Sequence, residues 1–420
     1  MATFLLEVGT EELPASFVAD ALAQWETKIP ASLTALGLTA TLRTYGTPRR
    51  LAVWLADLPD RQPDRQLEVK GPAVTAAFGN GDPQGEPTKA AIGFAKAQGV
   101  TVADLVVRDT EKGPCVFALR QEVGRPTAEV LTELAPAWIL GLEGKRLMRW
   151  SHGDLKFPRP MRWLVCLLDD QVLPIALEGL VAGRQTWGHR VLSQGPVILD
   201  RPADYLPRLR EAGVLADVTE RRERICQQMA GVAELMGAHV EVLPNLLTEV
   251  VHLVEFPTAV VGEFDREFLA LPEPAIVMEM VVHQRYFPVY DRGTPRTLLP
   301  YFLTVSNGDP AKSKQIAQGN GRVIRARLAD GKFFYDADRA IPLADFGPQL
   351  RKVTFQEQLG SIADKVERMQ AIAAALPTCA GLSLNAETQA QLQRAIALCK
   401  ADLVTQLVGE FPELQGVMGG

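Results

Sequence analysis

The sequence lacks the patterns that mark several common classes of protein. Its five cysteines include no CxxC pair, and its five histidines show no HExxH or comparable ligand spacing. These absences argue against a disulfide scaffold, structural zinc and cysteine redox chemistry. No GxxxxGK(S/T) loop occurs, and the glycines near residues 79–85 are interrupted by Pro83. The sequence therefore predicts no catalytic, cofactor-binding or metal-binding residue in this chain.

Long apolar runs and an excess of positive charge are also missing. No stretch is apolar for long enough to cross a bilayer, and the first residues, MATFLLEVGTEEL, carry no basic segment. A cytoplasmic protein without a membrane partner is predicted. The 44 lysines and arginines are outnumbered by 50 aspartates and glutamates, which gives a formal net charge of −6. Proteins that coat nucleic acid usually carry a general basic excess, so no DNA partner is predicted and any RNA contact needs localised patches.

One segment reverses this sign of charge. Lys145 to Trp163, KRLMRWSHGDLKFPRPMRW, combines six basic residues and two tryptophans with a single acid. Arginine forks bind phosphate oxygens in pairs, and flat aromatic or guanidinium faces stack on bases, so this segment suits a nucleic-acid surface. The alternative is that Trp150 and Trp163 are core residues whose neighbouring arginines shield them and pair with acids. Composition alone leaves both interpretations open.

The length and the turn signals predict a multidomain α+β protein. With 420 residues, of which 47% are hydrophobic, the chain is expected to form two or three domains. After about residue 345 a separate all-α unit is predicted, because the sequence becomes rich in Ala, Gln and Leu with helical spacing. Strands are expected at 3–8, 51–55, 258–262, 286–290 and 300–306. Helices are expected at 17–29, 88–98, 126–141, 202–212, 219–237, 243–254, 276–283, 355–376 and 388–408.

Other charged residues are candidates for either binding or structure. Arg49 and Arg50, fixed behind Pro48, suit contact with phosphate or the clamping of an acidic loop equally well. The basic turn 183–190, GRQTWGHR, is placed to extend the Lys145 to Trp163 surface. Glu11 and Glu12 precede the first helix, where negative charge at a helix N-terminus explains them better than acid–base chemistry.

Three further groups are assigned structural roles. Arg221, Arg222 and Arg224 begin a helix and are expected on a solvated face. Arg322, Arg325 and Arg327 are expected to pair with acids such as Asp330 or Asp338. The remaining group, 333–335, is the aromatic run FFY, which is expected in the core.

Several motifs occur together in one order along nearly the whole chain. They are LEVGTEELP (6–14), TPRRLAV (47–53), KGP (70–72), PTKAA with GFAK (87–96), the Lys145 to Trp163 segment, GHR (188–190), LTEV with EFP (247–257), HQRYF (283–287), GN with RVIRARL (319–328) and LGSIADK (359–365). Each motif is weak alone, but the ordered set is specific. On these motifs the chain resembles the β subunits of bacterial two-subunit (α2β2) glycyl-tRNA synthetases.

This resemblance implies a function in handling tRNA. In such a glycine–tRNA ligase, the α subunit holds ATP, Mg and the aminoacylation site, and the β subunit binds and positions tRNA-Gly. The implied partners are therefore an α subunit and tRNA-Gly, and the implied candidate contacts are Arg49, Arg50, Lys145, Arg146, Arg149, Lys156, Arg159, Arg162 and Arg190. Trp150 and Trp163 are then better interpreted as core anchors for Arg149, Arg159 and Arg162 than as platforms for bases. The alternative function is a non-catalytic scaffold for the α subunit with little RNA contact.

The resemblance also implies an architecture. An N-terminal α+β region with the basic patch would span 1–190, a B3/B4-like tRNA-binding region 191–345, and the start of a helical HD-like domain 346–420. The chain is expected to stop inside that domain at Gly419-Gly420, without the anticodon-binding domain that follows it in the family. Metal-dependent phosphohydrolase chemistry is not expected, because residues 345–420 contain no histidine.

Overall fold

The chain was analysed in a computed structural model that describes residues 1–150, 153–294, 296–379 and 384–419. It divides into two compact units, Met1–Val218 and Thr219–Gly420, called unit 1 and unit 2 below. Both mix helices with small antiparallel sheets, as the predicted α+β class requires. Ser151 and His152, which belong to the predicted basic segment, and the terminal Gly420 lie outside the described residues. No helix in the described ranges is long and apolar enough to span a membrane.

Unit 1 contains a larger sheet, a smaller sheet and several short hairpins. Its strands are β1 (Ala2–Thr10), β2 (Thr41–Thr47), β3 (Arg50–Leu58), β4 (Arg65–Ala73), β5 (Leu105–Arg108), β6 (Cys115–Glu122), β7 (Met148–Arg149), β8 (Lys156–Phe157), β9 (Met161–Leu168), β10 (Gln171–Val172), β11 (Ala176–Leu177), β12 (Leu180–Val181), β13 (Gln185–Trp187) and β14 (Pro196–Ile198). Its helices are α1 (Ala15–Ala35), α2 (Val74–Ala77), α3 (Lys89–Gln98), α4 (Thr127–Leu140) and α5 (Tyr205–Glu211).

The larger sheet has the strand order β10-β9-β1-β3-β2 and is buried on both faces. Alternate side chains of a strand point to opposite faces, so Phe4, Leu6 and Val8 of β1 pack under α1 and α4. Leu5 lies on the other face with Trp163, and α5 covers that side. This burial on both faces explains why the strand is apolar almost throughout, and it leaves Glu7 as a charged residue in a buried position.

The predicted elements of unit 1 are confirmed with shifts of a few residues. Helix α1 buries one apolar stripe that includes Phe17, Trp25 and Ile29. Helix α3 begins after Thr88, whose hydroxyl accepts a hydrogen bond from the backbone of Ala90, and ends at Gly99 as predicted. The strands β4-β6-β5 form the smaller sheet, which packs with α2 and α3.

Unit 2 is built around a second antiparallel sheet. Its strands are β15 (Ala238–Val240), β16 (Thr258–Glu263), β17 (Phe287–Asp291), β18 (Leu298–Ser306), β19 (Thr354–Gln356) and β20 (Gly360–Ser361). Its helices are α6 (Val218–Met236), α7 (Pro244–Val251), α8 (Glu273–Met278), α9 (Ser313–Arg339), α10 (Ile362–Cys379), α11 (Ala386–Leu398) and α12 (Gln406–Glu410). A π-helical turn, Glu279–His283, continues α8.

The long helix α9 lies against the sheet of order β15-β17-β18-β16. Its buried residues Ile324 and Leu328 pack with Phe264, Phe302 and their neighbours. The strands predicted at 258–262, 286–290 and 300–306 are confirmed here as β16, β17 and β18.

Two predictions for the later part of unit 2 are wrong in detail. The helix expected from residue 355 begins at Ile362, because Thr354–Gln356 pairs with Gly360–Ser361 in a short hairpin. The helix expected to reach residue 408 ends at Leu398 and is followed by a short helical turn and α12. The region after 345 is therefore mainly but not wholly helical.

Candidate nucleic-acid interface

A buried carboxylate lies beneath the predicted basic patch. Glu7 of β1 is 0% exposed and accepts hydrogen bonds of 2.5 to 2.6 Å from the indole N–H of Trp163, the hydroxyl of Thr186 and the phenol of Tyr205. The guanidinium of Arg50, equally buried, lies 3.6 Å from the Glu7 carboxylate. A charge is costly to bury unless it is paired and hydrogen-bonded, and this network meets both conditions. It is called the Glu7 network below.

The phenol of Tyr205 is held in its protonated form within this network. Burial, and after it the charge of Glu7, raises the pKa of Tyr205 well above its usual value. Tyr205 is therefore a protonated hydrogen-bond donor to Glu7 at neutral pH. The donor and the acceptor are 198 residues apart in the sequence, so the network ties the start of the chain to α5.

Trp163 lies across the strand at Gly9. In the sheet register Gly9 is opposite Arg50 on one side and Trp163 on the other. A β-carbon at position 9 would come within 1.8 Å of the Trp163 ring, so only glycine lets the indole lie there. The guanidinium carbons of Arg49 and Arg50 are each 5.7 Å from the indole centroid, a distance at which cation–π attraction operates.

Trp163 is therefore a buried anchor, as predicted, but the arginines that it holds are not the expected ones. Arg49 and Arg50 lie against its ring, whereas Arg162, its neighbour in β9, is exposed. The physical reason is the alternation of side chains along a strand, which sends residues 162 and 163 to opposite sides.

Exposed arginines converge on residues 10–12, which form the end of β1 and the start of the loop after it. Arg162 donates to one carboxylate oxygen of Glu11 at 2.8 Å, and Arg190 donates to the other at 2.7 Å. Arg190 also lies 3.7 Å from the Glu12 carboxylate, and Arg159 donates to the Glu12 carbonyl at 3.0 Å. The side chains of Arg162 and Arg190 remain 57% and 54% exposed. Arg159, Arg162 and Arg190 are called the arginine cluster below.

Residues 10–12 are themselves fixed by backbone hydrogen bonds. Thr10 N–H donates to the Arg49 carbonyl at 2.8 Å, and Glu11 N–H donates to the Pro160 carbonyl at 3.0 Å. Hydrogen bonding from Arg162, together with weaker effects of Arg190, lowers the pKa of Glu11 below its usual value. Glu11 is therefore a carboxylate at neutral pH, and its charge is balanced by two arginines that still face solvent.

The prediction for Glu11 and Glu12 was wrong about the partner. Helix α1 begins at Ala15 and has no acidic residue in its first turn. The two carboxylates instead contact the arginine cluster, so they are structural in a different sense from the one expected.

The other predicted basic residues lie on a short hairpin or just before it. Arg149 of β7 pairs in register with Lys156 of β8, and Arg149 lies 3.7 Å from Asp154. Arg149 and Lys156 are exposed, as are Lys145 and Arg146 before them, and these four residues are called the hairpin cations below. The half-buried Trp150 donates its indole N–H to the Phe157 carbonyl at 2.8 Å, which anchors the hairpin.

A cavity of about 300 Å³ lies beside the hairpin and the start of β9. Trp150 and Phe157 line one part of it, and Arg162 and Glu178 line another. The structure therefore places Arg162 of the arginine cluster on the same cavity as the hairpin that carries Arg149 and Lys156.

Sequence reasoning missed Glu7, Thr186 and Tyr205. One available signal was the charge of Glu7 inside the apolar run FLLEVG, because an acid in a strand buried on both faces needs partners. Its partners are distant in sequence, and no local pattern identifies them.

The predictions for the arginines of unit 2 had mixed outcomes. Arg221 is fully buried and donates to the Val251 carbonyl at 3.1 Å, so the predicted solvated face is wrong. Arg222 donates to the Thr248 hydroxyl, and Arg224 donates to the Pro257 carbonyl. The reason is that the first turns of α6 pack against α7 and the segment after it, whose oxygens accept these hydrogen bonds.

The pairing predicted for α9 is confirmed at Arg325, although with a different acid. Arg325 lies 2.9 Å from Asp265, not from Asp330 or Asp338. The core position predicted for Phe333 is wrong, because its side chain is 67% exposed. Phe333 lies off the helical stripe that buries Ile324 and Leu328, so it points away from the sheet.

Comparison with known proteins gives one family. A family model described as "Glycyl-tRNA synthetase beta subunit" matches residues 4–420. The chain is 54% identical over 424 residues to the glycine--tRNA ligase beta subunit of Acaryochloris marina and 53% identical over 424 residues to that of Picosynechococcus. It is 47% identical over 420 residues to the corresponding protein of Desulforudis audaxviator. These matches cover 100% of the chain but only 59%, 59% and 60% of the relatives, so the chain spans about 59% of their length.

Proposed function

The chain belongs to the glycyl-tRNA synthetase β-subunit family, and from this premise we propose that it binds and positions tRNA-Gly for a glycine–tRNA ligase. An α subunit then attaches glycine in an ATP-dependent reaction, within an α2β2 complex in the cytoplasm. ATP and Mg belong to the α subunit in this proposal, and the present chain has no aminoacylation site of its own. The names of the relatives support the proposal, and so does the geometry of the arginine cluster.

The observation that carries the proposal is the pairing of Glu11 with two exposed arginines. A carboxylate that bridges Arg162 and Arg190 holds their guanidinium groups at fixed positions while more than half of each side chain faces solvent. Phosphate oxygens make the same charge-assisted hydrogen bonds as a carboxylate. Because an exposed ion pair contributes only about 0–1 kcal/mol, a phosphate group can replace Glu11 at little cost.

The proposed interface consists of the arginine cluster, the hairpin cations and Arg49. Arg49 is half-buried, lies over Trp163 and donates to the Gly188 carbonyl at 3.1 Å. Arg50 is left out because its side chain has no exposed surface. Contacts from these residues to phosphates would position the tRNA without reading its sequence.

We extend the proposal to the domain order implied by the family. A first α+β region ends at Val218, the limit of unit 1, in place of residue 190. A B3/B4-like region follows to residue 345, supported by the β15-β17-β18-β16 sheet. An HD-like region begins at 346, supported by α10, α11 and α12.

Charge reversal in the arginine cluster tests the function. The variant Arg162→Glu/Arg190→Glu, assembled with an α subunit, is expected to bind tRNA-Gly at least tenfold more weakly, because two phosphate contacts become repulsive. The slope of log affinity against log salt should fall in magnitude by about 2. Filter binding over a series of salt concentrations measures both quantities.

Arg108→Glu is the matched control. Arg108 is also exposed and forms a comparable ion pair, 2.6 Å from Glu68, in the smaller sheet of unit 1. This control should bind tRNA-Gly normally. Unchanged affinity and salt slope in the double variant, with an intact complex, would instead favour the scaffold function, in which the chain binds the α subunit and makes little contact with RNA.

A further inference from the structure

Unit 2 contains a basic groove that the proposed interface does not use. The groove has a volume of about 480 Å³ and runs between α9 and the strands β16 and β18. On the helix side it is lined by Lys314, Gln318, Arg322 and Arg325. These positions are spaced by four, four and three residues, so they form one stripe along the helix.

The cations in this stripe differ in their electrostatic balance. Arg325 is paired with Asp265 at 2.9 Å, close to one end of the groove. Lys314 and Arg322 are exposed, and among the described residues no carboxylate lies within ion-pair distance of either. Lys314 is also in the first turn of α9, where the helix dipole disfavours a cation and favours an anion beside it. The groove therefore holds two cations that have no direct ion-pair partner among the described residues, and Glu263 is the carboxylate that lines it with them.

The opposite wall of the groove has a different chemistry. Tyr301 of β18 contributes a partly exposed aromatic ring, and Glu263 at the end of β16 contributes an exposed carboxylate. A carboxylate opposes the binding of a bare phosphate ion. It suits a ligand that brings hydroxyl or amino donors as well as phosphate, and an aromatic ring suits a ligand with a flat base.

The groove depends on a close approach of helix and strand at Gly321. A β-carbon at that position would lie 3.0 Å from the Glu263 carbonyl, which is tighter than nearly all such contacts. Glycine at 321 therefore lets α9 lie against the end of β16 and keeps Arg322 and Glu263 on the same groove. The volume falls in the range of sites that hold small molecules or single nucleotides, about 300–1,000 Å³.

We propose that this groove binds one nucleotide of an RNA strand, with Lys314 and Arg322 on the phosphate, Tyr301 on the base and Glu263 on a ribose hydroxyl. The proposed function supplies only the kind of partner, RNA. The site itself is separate in the sequence from the arginine cluster and uses other residues. RNA is favoured over DNA because only ribose offers a 2′-hydroxyl to Glu263.

A matched pair of variants on α9 tests the proposal. Arg322→Glu and Arg327→Glu reverse the same charge on exposed arginines five residues apart, and Arg327 does not line the groove. In the assembled complex, Arg322→Glu should weaken binding of a tRNA-Gly transcript about tenfold relative to Arg327→Glu, with a salt slope smaller in magnitude by about 1. Equal affinities for the two variants would overturn the proposal.

A second measurement does not depend on the charge of α9. Tyr301→Leu removes the aromatic ring and should weaken binding of a short single-stranded RNA, whereas Tyr301→Phe should not, because base stacking needs only the ring. Glu263→Gln should reduce the preference for RNA over a DNA strand of the same sequence. If Glu263→Gln only raised the affinity for both strands equally, and AMP or inorganic phosphate bound as well as RNA, the groove would be a general anion site and the proposal would fail.

The experiments can contradict the proposals for the two sites independently. Loss of tRNA binding in the Arg162→Glu/Arg190→Glu variant with normal binding in Arg322→Glu would leave the proposed function intact and remove the groove from it. Normal binding in both variants would contradict both proposals. Circular dichroism and thermal melting of each complex exclude misfolding, and Arg322→Gln provides a milder substitution if the glutamate variant melts early.

Discussion

The arginine cluster of unit 1 and the α9 groove of unit 2 both present exposed cations, but those of the cluster are paired with a carboxylate and two of those in the groove are not. In the cluster, Arg162 and Arg190 are held by Glu11. In the groove, Lys314 and Arg322 have no ion-pair partner among the described residues. Cations of the first kind are ordered before a ligand arrives but must exchange a carboxylate for a phosphate. The unpaired cations of the groove have no ion-pair partner to give up. They do lose conformational freedom when they bind, which costs about 2 kcal/mol or less for each long side chain.

A count of basic residues therefore does not identify a binding surface. Arg50 and Arg221 are as basic as any residue in the two sites, yet both are fully buried and serve the fold. The useful distinction is whether a guanidinium group faces solvent and what holds it there. Three predictions test the comparison, in order of decreasing expected effect.

Removing the Glu7 carboxylate should destabilise the buried network beneath the arginine cluster. In Glu7→Ala the buried guanidinium of Arg50 loses the carboxylate that lies 3.6 Å from it, and breaking a buried ion pair in this way typically costs about 3–5 kcal/mol of folding free energy. Urea unfolding monitored by tryptophan fluorescence should show an early transition that the wild-type chain lacks. Glu12→Ala, which removes an exposed carboxylate, is the control and should change stability by less than about 1 kcal/mol. A Glu7→Ala variant as stable as this control would contradict a structural role for the Glu7 network.

Mild acid should destabilise unit 2 before unit 1, because unit 2 contains the buried His252. Burial, with smaller contributions from Arg221 and Arg222, lowers the pKa of His252 from 6.5 to about 4. The unfolded chain therefore binds a proton more readily than the folded chain between these values. The contribution of His252 to the stability of unit 2 should be complete above pH 6.5 and fall as the pH drops towards 4, by at most about 1.4 kcal/mol per pH unit.

Unit 1 should respond at lower pH. The lowered pKa of Glu11 means that its contribution is present above the usual carboxylate range and is lost only as the pH falls through that range and below it. Hydrogen exchange at pH 7, 6 and 5 should show earlier loss of protection in α7 of unit 2 than in β1 of unit 1. The variant His252→Gln should remove the pH dependence of α7, and a dependence that persists in this variant would assign it to another group.

Neutralising Glu11 should make the electrostatic state of the arginine cluster resemble that of the groove. In Glu11→Gln, Arg162 and Arg190 no longer have a charged competitor for phosphate, so tRNA affinity should rise several-fold, corresponding to about 1 kcal/mol or less. The effect should shrink at high salt, where charge–charge interactions are screened. Asp265→Asn, which removes the acid beside Arg325, provides the corresponding measurement in unit 2. Weaker binding in Glu11→Gln would mean that the carboxylate supports the bound state instead of competing with it.

The sequence was most informative where structure depends on neighbours along the chain. Helix α1 follows from the spacing of its apolar residues, and helix α3 follows from Thr88 at its start and Gly99 at its end. The tail helix was misplaced because Phe355 matches the helical period, although the segment pairs with Gly360–Ser361 in a hairpin. A local period cannot reveal that competing contact.

The candidate site was less accessible from sequence for the same reason. The residue types of the arginine cluster and the hairpin cations were recognised, but exposure was not, so Arg50 was grouped with residues that face solvent. Glu11, the partner of Arg162 and Arg190, precedes them in the chain by 151 and 179 residues. The strand pairing β1–β9 brings Arg162 beside the end of β1, a contact that no local sequence pattern reveals.

The glycine beneath Trp163 has a consequence for how this protein can change over generations. Gly9 admits no side chain at all, because its first carbon would overlap the indole. A substitution there would displace Trp163, and with it Arg49, without touching a single residue of the exposed surface. Affinity for a ligand can thus be tuned gradually through Glu11, Arg162 or Arg190, whereas position 9 offers no intermediate step. Because Gly9 and Trp163 are fixed, the exposed residues near them can change one at a time without a change in the buried packing.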